Sequence, residues 1–477
     1  MERASGILMH VSSLWGDYSE GAFSKSAKEF IDCLSECGIK YWQVLPFCLP
    51  DEYNSPYKSY SAFSINPYFI DLEKLYRREL ITRAELNEAK QRDPHACEFN
   101  RLLRERIKLL TKASTRFLEY KTLEDFYKNH TQVAKFCEFM ALKSSNKGKD
   151  WWEWENTVPN REALHAWRFM EYIAITQWLE IKEYANSRGV KIIGDIPIYV
   201  ALDSSDVWAN PQEFQLDENC QPTSVAGCPP DYFAKDGQLW GNPLYNWDRM
   251  KESSYSWWRE RMSFMCHLFD GVRIDHFRAL ESYYSIPATE KTARNGVWVK
   301  GPGMDFINAI KEELGEDKLI IAEDLGDITP EVVKLVEDSG FPGMRVLQFG
   351  LLGEENSPHL PHNYINNCVA YTGTHDNNTL LGYVWELDES QRQKFLDYFG
   401  YEGANWDSCY DTVIRSMLSS HAGLVIFPVQ DLLKYGRDTR LNTPGSCDDN
   451  WSFRLTREQF EEIDKARLKK WIELYSR

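Results

Sequence analysis

The stretch Phe269-Asp270-Gly271-Val272-Arg273-Ile274-Asp275-His276-Phe277 decides how this chain is read. The run Phe269–Asp275 is too short for a helix and follows a helical pattern over Ser254–His267, so it reads as a strand entered from a helix. Strand alternation places Arg273 and Asp275 on one side, with the carboxylate at the C-terminal end. An arginine so placed holds its neighbour ionised and oriented, which suits a nucleophile better than an acid.

Working outward, the same kind of run recurs at Ile7–His10, Tyr41–Leu45, Val190–Asp195, Leu319–Glu323, Met344–Gln348, Cys368–Gly373 and Leu424–Phe427. Several are almost continuously apolar, as strands buried on both faces are. Helical patterns lie between many of them, including Phe23–Cys37, Ala166–Arg188 and Thr329–Ser339. Thr329-Pro330 is a helix start with proline at the first helical position, and Gly189 and Gly340 stand where helices end. Eight strands alternating with helices predict an α/β protein, a (β/α)8 TIM barrel. Two segments interrupt the alternation. Leu72–Leu164 is charged and reads as a mainly helical insertion, with periodic stretches at Thr82–Gln91 and Phe99–Glu119. Ala201–Met250, rich in proline, glycine and aromatics, reads as a long active-site loop. Residues 1–477 are thus expected to form one catalytic barrel with insertions at the C-terminal face of its strands, where barrel enzymes build their sites.

Two further strand ends carry carboxylates: Ile321-Ala322-Glu323-Asp324-Leu325-Gly326 and Thr374-His375-Asp376-Asn377-Asn378-Thr379. Cleaving a glycosidic bond with retention takes one carboxylate as nucleophile and a second as acid and then base. Glu323 follows an apolar run, so desolvation is expected to raise its pKa towards that of a general acid, with Asp324 as a neighbour that tunes it. Asp376, beside His375, is placed to bind sugar hydroxyls as the ring distorts. Asp275, Glu323 and Asp376 together read as a sugar-cleaving site.

Composition narrows the partners. Lysine and arginine number 55 against 72 aspartate and glutamate, a net charge of −17. Such a chain has no general attraction for phosphate backbones or anionic lipid, so neither nucleic acid nor membrane is an expected partner, and the substrate should be neutral. No apolar stretch approaches the ~20 residues that span a bilayer. The N-terminus lacks a secretory pattern, and the eleven cysteines are scattered without a CxxC pair, which points to a cytoplasmic, reducing setting. No calcium loop and no glycine-rich phosphate cradle is present, so neither metal nor cofactor is expected. Of the abundant aromatics, 17 Trp, 25 Tyr and 24 Phe, most should fill the core and a few should stack on pyranose rings. Trp151-Trp152-Glu153-Trp154 reads as packing of the helical insertion, whereas Trp240 in its Gly/Pro-rich loop reads as a ligand contact.

The chain resembles the 4-alpha-glucanotransferases of the amylomaltase, or disproportionating-enzyme, type, a branch of the alpha-amylase superfamily. The matching segments run from Ser5-Gly6-Ile7-Leu8 to Arg440-Leu441-Asn442-Thr443-Pro444-Gly445. They include Trp42-Gln43-Val44-Leu45-Pro46, Ser55-Pro56-Tyr57, Gly194-Asp195-Ile196-Pro197 and Asp206-Val207-Trp208. The most specific is Pro229-Pro230-Asp231-Tyr232-Phe233, leading into Gly237-Gln238-Leu239-Trp240-Gly241-Asn242-Pro243.

The resemblance implies Asp275 as nucleophile, Glu323 as acid/base and Asp376 as transition-state stabiliser. It implies that Arg273, His276 and His375 hold the donor sugar, with Tyr57 and Asp203 contacting it and Ser55 and Asn442 among the substrate contacts. Tyr232 and Trp240 would belong to a lid that faces the acceptor and shields the intermediate from water. The implied partners are α-1,4-glucans such as amylose, maltooligosaccharides, and glucose as acceptor; the oligomeric state is not implied. A plastid stroma is the alternative location if the chain is a mature form. Trp15 stands where the family usually has proline, and Phe47–Asn54 departs from its usual proline- and glycine-rich version. The segment Gly194–Tyr199 lacks the histidine of many amylases, as amylomaltases do. An α-amylase-like retaining hydrolase and an inactive glucan-binding protein are the competing readings.

Overall fold

Parallel strands close into an eight-stranded barrel in the computed structural model, which describes residues 2–50, 53–230, 235–351, 356–401, 406–446 and 449–477. The barrel strands are β1 (Ala4–Leu8), β2 (Tyr41–Gln43), β3 (Lys191–Ile196), β4 (Gly271–Ile274), β5 (Leu319–Ala322), β6 (Gly343–Val346), β7 (Cys368–Tyr371) and β8 (Leu424–Pro428). Each pairs with its sequence neighbour among the eight, and β1 closes the ring against β8. All eight expected strands are present, with ends displaced by a few residues. Both faces of β1, β4, β7 and β8 are buried, which accounts for their near-continuous apolar character.

Helices surround the barrel, among them Lys25–Glu36, Arg161–Ser187, Ser256–Leu268, Gly303–Leu314 and Pro330–Ser339. Gly189 and Gly340 end two of them at φ +76° and +69°, left-handed values that cost a side-chain-bearing residue more than glycine. Between β6 and β7 the described residues contain only the short turns Leu347–Gly350 and Pro361–Asn363.

The segment after β2 carries the helices Leu72–Arg77, Arg83–Glu88, Ile107–Ser114, Tyr120–Lys128 and Thr131–Ser145 before the long barrel helix Arg161–Ser187. Thr82 starts Arg83–Glu88 with a capping box to Glu85. The segment after β3 is more than the loop that composition suggests. Its strands Ser224–Cys228 and Gln238–Pro243 join Ser282–Pro287 and Val297–Lys300, which follow β4, in a four-stranded antiparallel sheet. This sheet hangs from the C-terminal ends of β3 and β4, over the side of the barrel mouth that carries Asp275. No helix among the described residues is long and apolar enough to cross a membrane.

Candidate active site

Register builds the site. In the β3–β4 pair Asp195 stands opposite Arg273, and in the β4–β5 pair Ile274 stands opposite Ala322. The residues just beyond, Asp275 and Glu323, therefore leave adjacent strands at the same height. Arg273 points inward at 4% exposure and its guanidinium is fully engaged. Nη1 donates to both carboxylate oxygens of Asp195 at 2.9 and 2.8 Å, Nη2 donates to Asp275 Oδ1 at 2.9 Å, and Nε lies 3.3 Å from Met344 Sδ. Burial works against its charge, but Asp195 and Asp275 outweigh burial and hold the guanidinium firmly protonated. Asp275 is thereby aimed by a fixed cation. Tyr57 completes this group, its hydroxyl donating to Asp195 Oδ2 at 2.7 Å.

Glu323 is held from its other side. The backbone N–H of His276 donates to Oε2 at 2.6 Å and that of Leu325 to Oε1 at 2.9 Å. His276 offers its amide this way because it sits in the left-handed region, at φ +51°. Its peptide also accepts the turn that follows, while Phe277 N–H reaches back to the Glu323 carbonyl at 3.1 Å. Burial pushes the Glu323 carboxyl up to about 8; Arg273 opposes that shift and the charge of Asp275 adds to it. At neutral pH Glu323 is a protonated acid beside an arginine-bound carboxylate. These are the two states a retaining glycosyl transfer needs at its outset.

Asp376 behaves differently. Burial would raise its pKa, but His375 and a hydrogen bond from Asn442 more than offset that and bring it to about 2. Asn442 Nδ2 donates to Oδ1 at 2.6 Å, and His375 Nε2 lies 3.3 Å from Oδ2. His375 is in turn stacked on Tyr57, with ring centroids 5.0 Å apart at 16°, and Trp451 packs on both rings at 5.8 Å. The turn that delivers Asp376 is tied by Asn377 Oδ1, which accepts from the Thr374 N–H and hydroxyl at 2.8 and 2.9 Å.

Towards the antiparallel sheet the lining becomes aromatic. Trp240, half-buried, meets His276 edge-on at 4.9 Å and Tyr199 at 6.2 Å. Asn242 Nδ2 anchors the same strand to the Val200 carbonyl at 2.9 Å. Burial lowers the His276 pKa to about 4, so its ring is neutral, and its buried Nε2 has no hydrogen-bond partner among the described residues.

A model of the 4-alpha-glucanotransferase family matches residues 9–459. The 4-alpha-glucanotransferase of Clostridium butyricum is 41% identical, with 98% of this chain and 100% of that protein covered. The chloroplastic/amyloplastic 4-alpha-glucanotransferase of Solanum tuberosum is 36% identical over 97% of this chain and 84% of its own. The amylomaltase of Streptococcus agalactiae, solved in complex with acarbose, superposes with a TM-score of 0.95 at 38% identity, covering both chains fully. This chain belongs to the 4-alpha-glucanotransferase family. It is an enzyme of the glycosyl-transferring class, and neither a plain hydrolase nor an inactive binder is favoured.

Among the residues that the 4-alpha-glucanotransferase resemblance singles out, Asp275, Glu323, Asp376, Arg273, His276, His375, Tyr57 and Asn442 meet in one connected cluster. Ser55 serves it indirectly, its Oγ accepting from the Tyr57 N–H at 3.3 Å. Trp240 stands at its edge, and Tyr232 lies outside the described residues. Among the described residues Asp203 has no hydrogen bond or ion pair to that cluster; its carboxylate is ion-paired with Lys143 of the helical insertion. The carboxylate that meets Tyr57 and Arg273 is Asp195, eight positions earlier and within β3, which ends at Ile196. Asp324 also turns away from Glu323, accepting from Met344 N–H at 2.6 Å and pairing with Arg345 at 3.0 Å. Asp195 and Trp451 are the members of this cluster that sequence reasoning passed over. The signal for Asp195 was a charged residue in an apolar strand at the position facing Arg273; for Trp451 no local signal exists. Among the described residues no group of three or more histidine, cysteine, aspartate or glutamate side chains is placed to hold a metal ion.

Proposed function

We propose that this enzyme moves α-1,4-glucan segments from maltooligosaccharides or amylose to glucose or glucan acceptors by a retaining double displacement. One observation carries the reading: an arginine-bound carboxylate, Asp275, stands beside Glu323, a carboxyl that burial keeps protonated near neutrality. Asp275 attacks the anomeric carbon, the glycosidic bond breaks, and Glu323 gives its proton to the departing oxygen. Asp376, ionised throughout the working range, accepts hydrogen bonds from sugar hydroxyls and strengthens them as positive charge builds on the ring. The neutral His276 ring lies beside the same sugar, between Asp275 and Trp240.

The second half follows from electrostatics. Once Asp275 is esterified its negative charge is gone, and with it part of what raised the Glu323 pKa. Glu323 then takes the proton of an acceptor 4-hydroxyl, whose oxygen displaces Asp275 and restores the α-linkage. Trp240 supplies an apolar face beside His276 that positions the acceptor and keeps water off the ester. This reaction belongs in a cytoplasm, or in a plastid stroma, in keeping with the bacterial relatives and the chloroplastic/amyloplastic one.

Trapping tests the assignment. Glu323→Gln with an α-glucosyl fluoride needs no acid for the first step and should accumulate an adduct, which mass spectrometry of peptides should place on Asp275. An adduct on Glu323 or Asp376 overturns the roles. With maltotriose the wild-type enzyme should yield glucose and longer oligomers without net gain of reducing ends; a gain would mean hydrolysis.

A further inference from the structure

Asp431 is wholly buried in the short turn Val429–Leu432, directly after β8. Its two carboxylate oxygens accept from opposite ends of one loop. Oδ2 takes the Thr372 hydroxyl at 2.5 Å, and Oδ1 takes the Leu380 backbone N–H at 2.8 Å. Thr372 is the first residue after β7, and Leu380 is the first of the helix Leu380–Glu386. Between them runs the segment that delivers His375 and Asp376. One side chain thus closes the base of the loop that carries Asp376. The backbone of Asp431 is itself anchored, its carbonyl accepting the Tyr410 hydroxyl at 2.7 Å.

The partners of this carboxylate are a hydroxyl and an amide, both neutral, and burying a charge on such partners is expensive. Burial pushes the Asp431 carboxyl up to about 6; the bonds from Thr372 and Leu380 oppose that shift and leave it ionised at neutral pH. An ionised carboxylate presents two acceptors and no donor, so it can hold both loop ends at once. What the fold gains is a fixed spacing between those ends. The preceding residue serves the same loop from its other end. Gln430 Nε2 donates to the Thr439 carbonyl at 3.1 Å, at the head of the segment that brings Arg440 to the Asp376 carbonyl at 2.5 Å and Asn442 to its Oδ1. The turn after β8 therefore sets both the base of the loop and the chain that meets its tip. The flank has no slack: Gln348 Nε2 donates to the Asn378 carbonyl at 2.8 Å, and a Cβ on Gly373 would lie 2.5 Å from that nitrogen.

We propose that Asp431 is a positioning residue for Asp376: by holding Thr372 and Leu380 together it sets where the Asp376 carboxylate meets the charge that builds on the sugar ring. Fully buried, it touches no sugar itself. Its effect belongs to the transition state, so it should appear in kcat more than in KM. The inference rests on Asp376 acting as the stabiliser of that charge.

The test uses the whole chain, with maltotriose or α-glucosyl fluoride as donor. Asp431→Ala should lower kcat about ten- to a hundredfold with either donor and change KM less than about twofold, since a misplacement near ~1 Å costs on that order. Asp431→Asn can keep both ties, its amide oxygen accepting from Leu380 and its Nδ2 donating to the Thr372 hydroxyl, and should recover most of the loss. Thr372→Val, which cuts one tie without opening a cavity, should give a smaller fall of the same kind and stands in if the alanine variant folds poorly. The deciding comparison is made in an Asp376→Asn background with the fluoride donor. There, adding Asp431→Ala or Thr372→Val should lower the remaining rate less than about twofold. A full multiplicative fall in that background overturns the proposal, since these residues would then act on folding or on another part of the site. So does an unchanged kcat in both single variants. If Asp376→Asn by itself keeps wild-type turnover, the role of Asp376 fails, and this proposal with it.

Discussion

On the proposed donor side the polar side chains lean on one another: Arg273 binds two carboxylates, Tyr57 binds one of them and stacks on His375, and His375 and Asn442 both meet Asp376. On the proposed acceptor side the lining at Trp240 is a half-buried ring held by ring contacts with His276 and Tyr199, on the edge strand of a small antiparallel sheet. The contrast follows from what each side must do. The donor side stabilises charge that appears at one fixed place, and fixed dipoles do that without reorganising. The acceptor side releases one glucan and admits another in every cycle, and stacking on a sugar face makes few demands on orientation.

If that division is right, damage to the donor side should cost rate steeply and damage to the acceptor side should redirect products. Asp275→Asn is the most severe case: turnover should fall at least on the order of 10⁴-fold, with no adduct formed from a glycosyl fluoride. Residual capture at Asp275→Asn would show that another carboxylate serves as nucleophile.

Glu323→Gln should lower turnover of natural glucans about 10²–10⁴-fold while sparing the first step with a fluoride donor. Its pH behaviour sharpens the point. With Glu323 raised to about 8, the acid form is present below that pH and is lost as pH rises through it, so wild-type turnover of maltotriose should decline on the alkaline side near 8. Asp376, at about 2, stays ionised over the whole accessible range and should contribute no acid limb above that value. Fluoride release in the first step should lack the alkaline decline, as should the residual activity of Glu323→Gln.

Asp195→Ala probes the support beneath the cluster. It leaves the buried Arg273 with one counter-charge in place of two, and breaking a buried pair costs about 3–5 kcal/mol. Denaturant unfolding should register a loss of that order, along with poor capture of the donor. A variant of wild-type stability would mean that water replaces the lost partner and that the donor side is less rigid than its contacts indicate.

Trp240→Ala is the mildest and the most diagnostic. One stacked face is worth about tenfold in partition between sugar and water. The variant should capture the donor normally but end more turnovers in hydrolysis, seen as new reducing ends per glucose from maltotriose. An unchanged ratio would remove Trp240 as the acceptor contact and blur the distinction between the two sides.

The same division explains what was legible in the amino-acid sequence. Barrel strands advertise themselves because both faces are buried, and the catalytic carboxylates stand directly after them. Even so, β1 starts at Ala4, earlier than its apolar run suggests, because Ser5 and Gly6 are small residues packed against β2, where a Cβ on Gly6 would lie 3.0 Å from Tyr41 Cβ. The antiparallel sheet was not legible. Gln238-Leu239-Trp240-Gly241-Asn242-Pro243 has the composition of a loop, and it becomes a strand only by pairing with Ser224–Cys228, which in turn pairs with residues from beyond β4. Asp195 was half-hidden for a related reason: a charge inside an apolar strand marks it, but its pairing with Arg273 is set by register between strands, which no local pattern displays.

The amide of His276 has a wider consequence. In the proposed roles, the residue that follows the nucleophile holds the acid/base by its main-chain N–H, so Asp275 and Glu323, on neighbouring strands, are tied to each other and should keep the same relation in both half-reactions. Such an arrangement favours neither direction. Each cycle breaks one α-1,4 bond and makes another of the same kind, so almost no bond energy is released to drive it. What remains is the entropy of mixing: left with one chain length, the enzyme should randomise it into many and come to rest at a broad distribution, with the number of molecules unchanged.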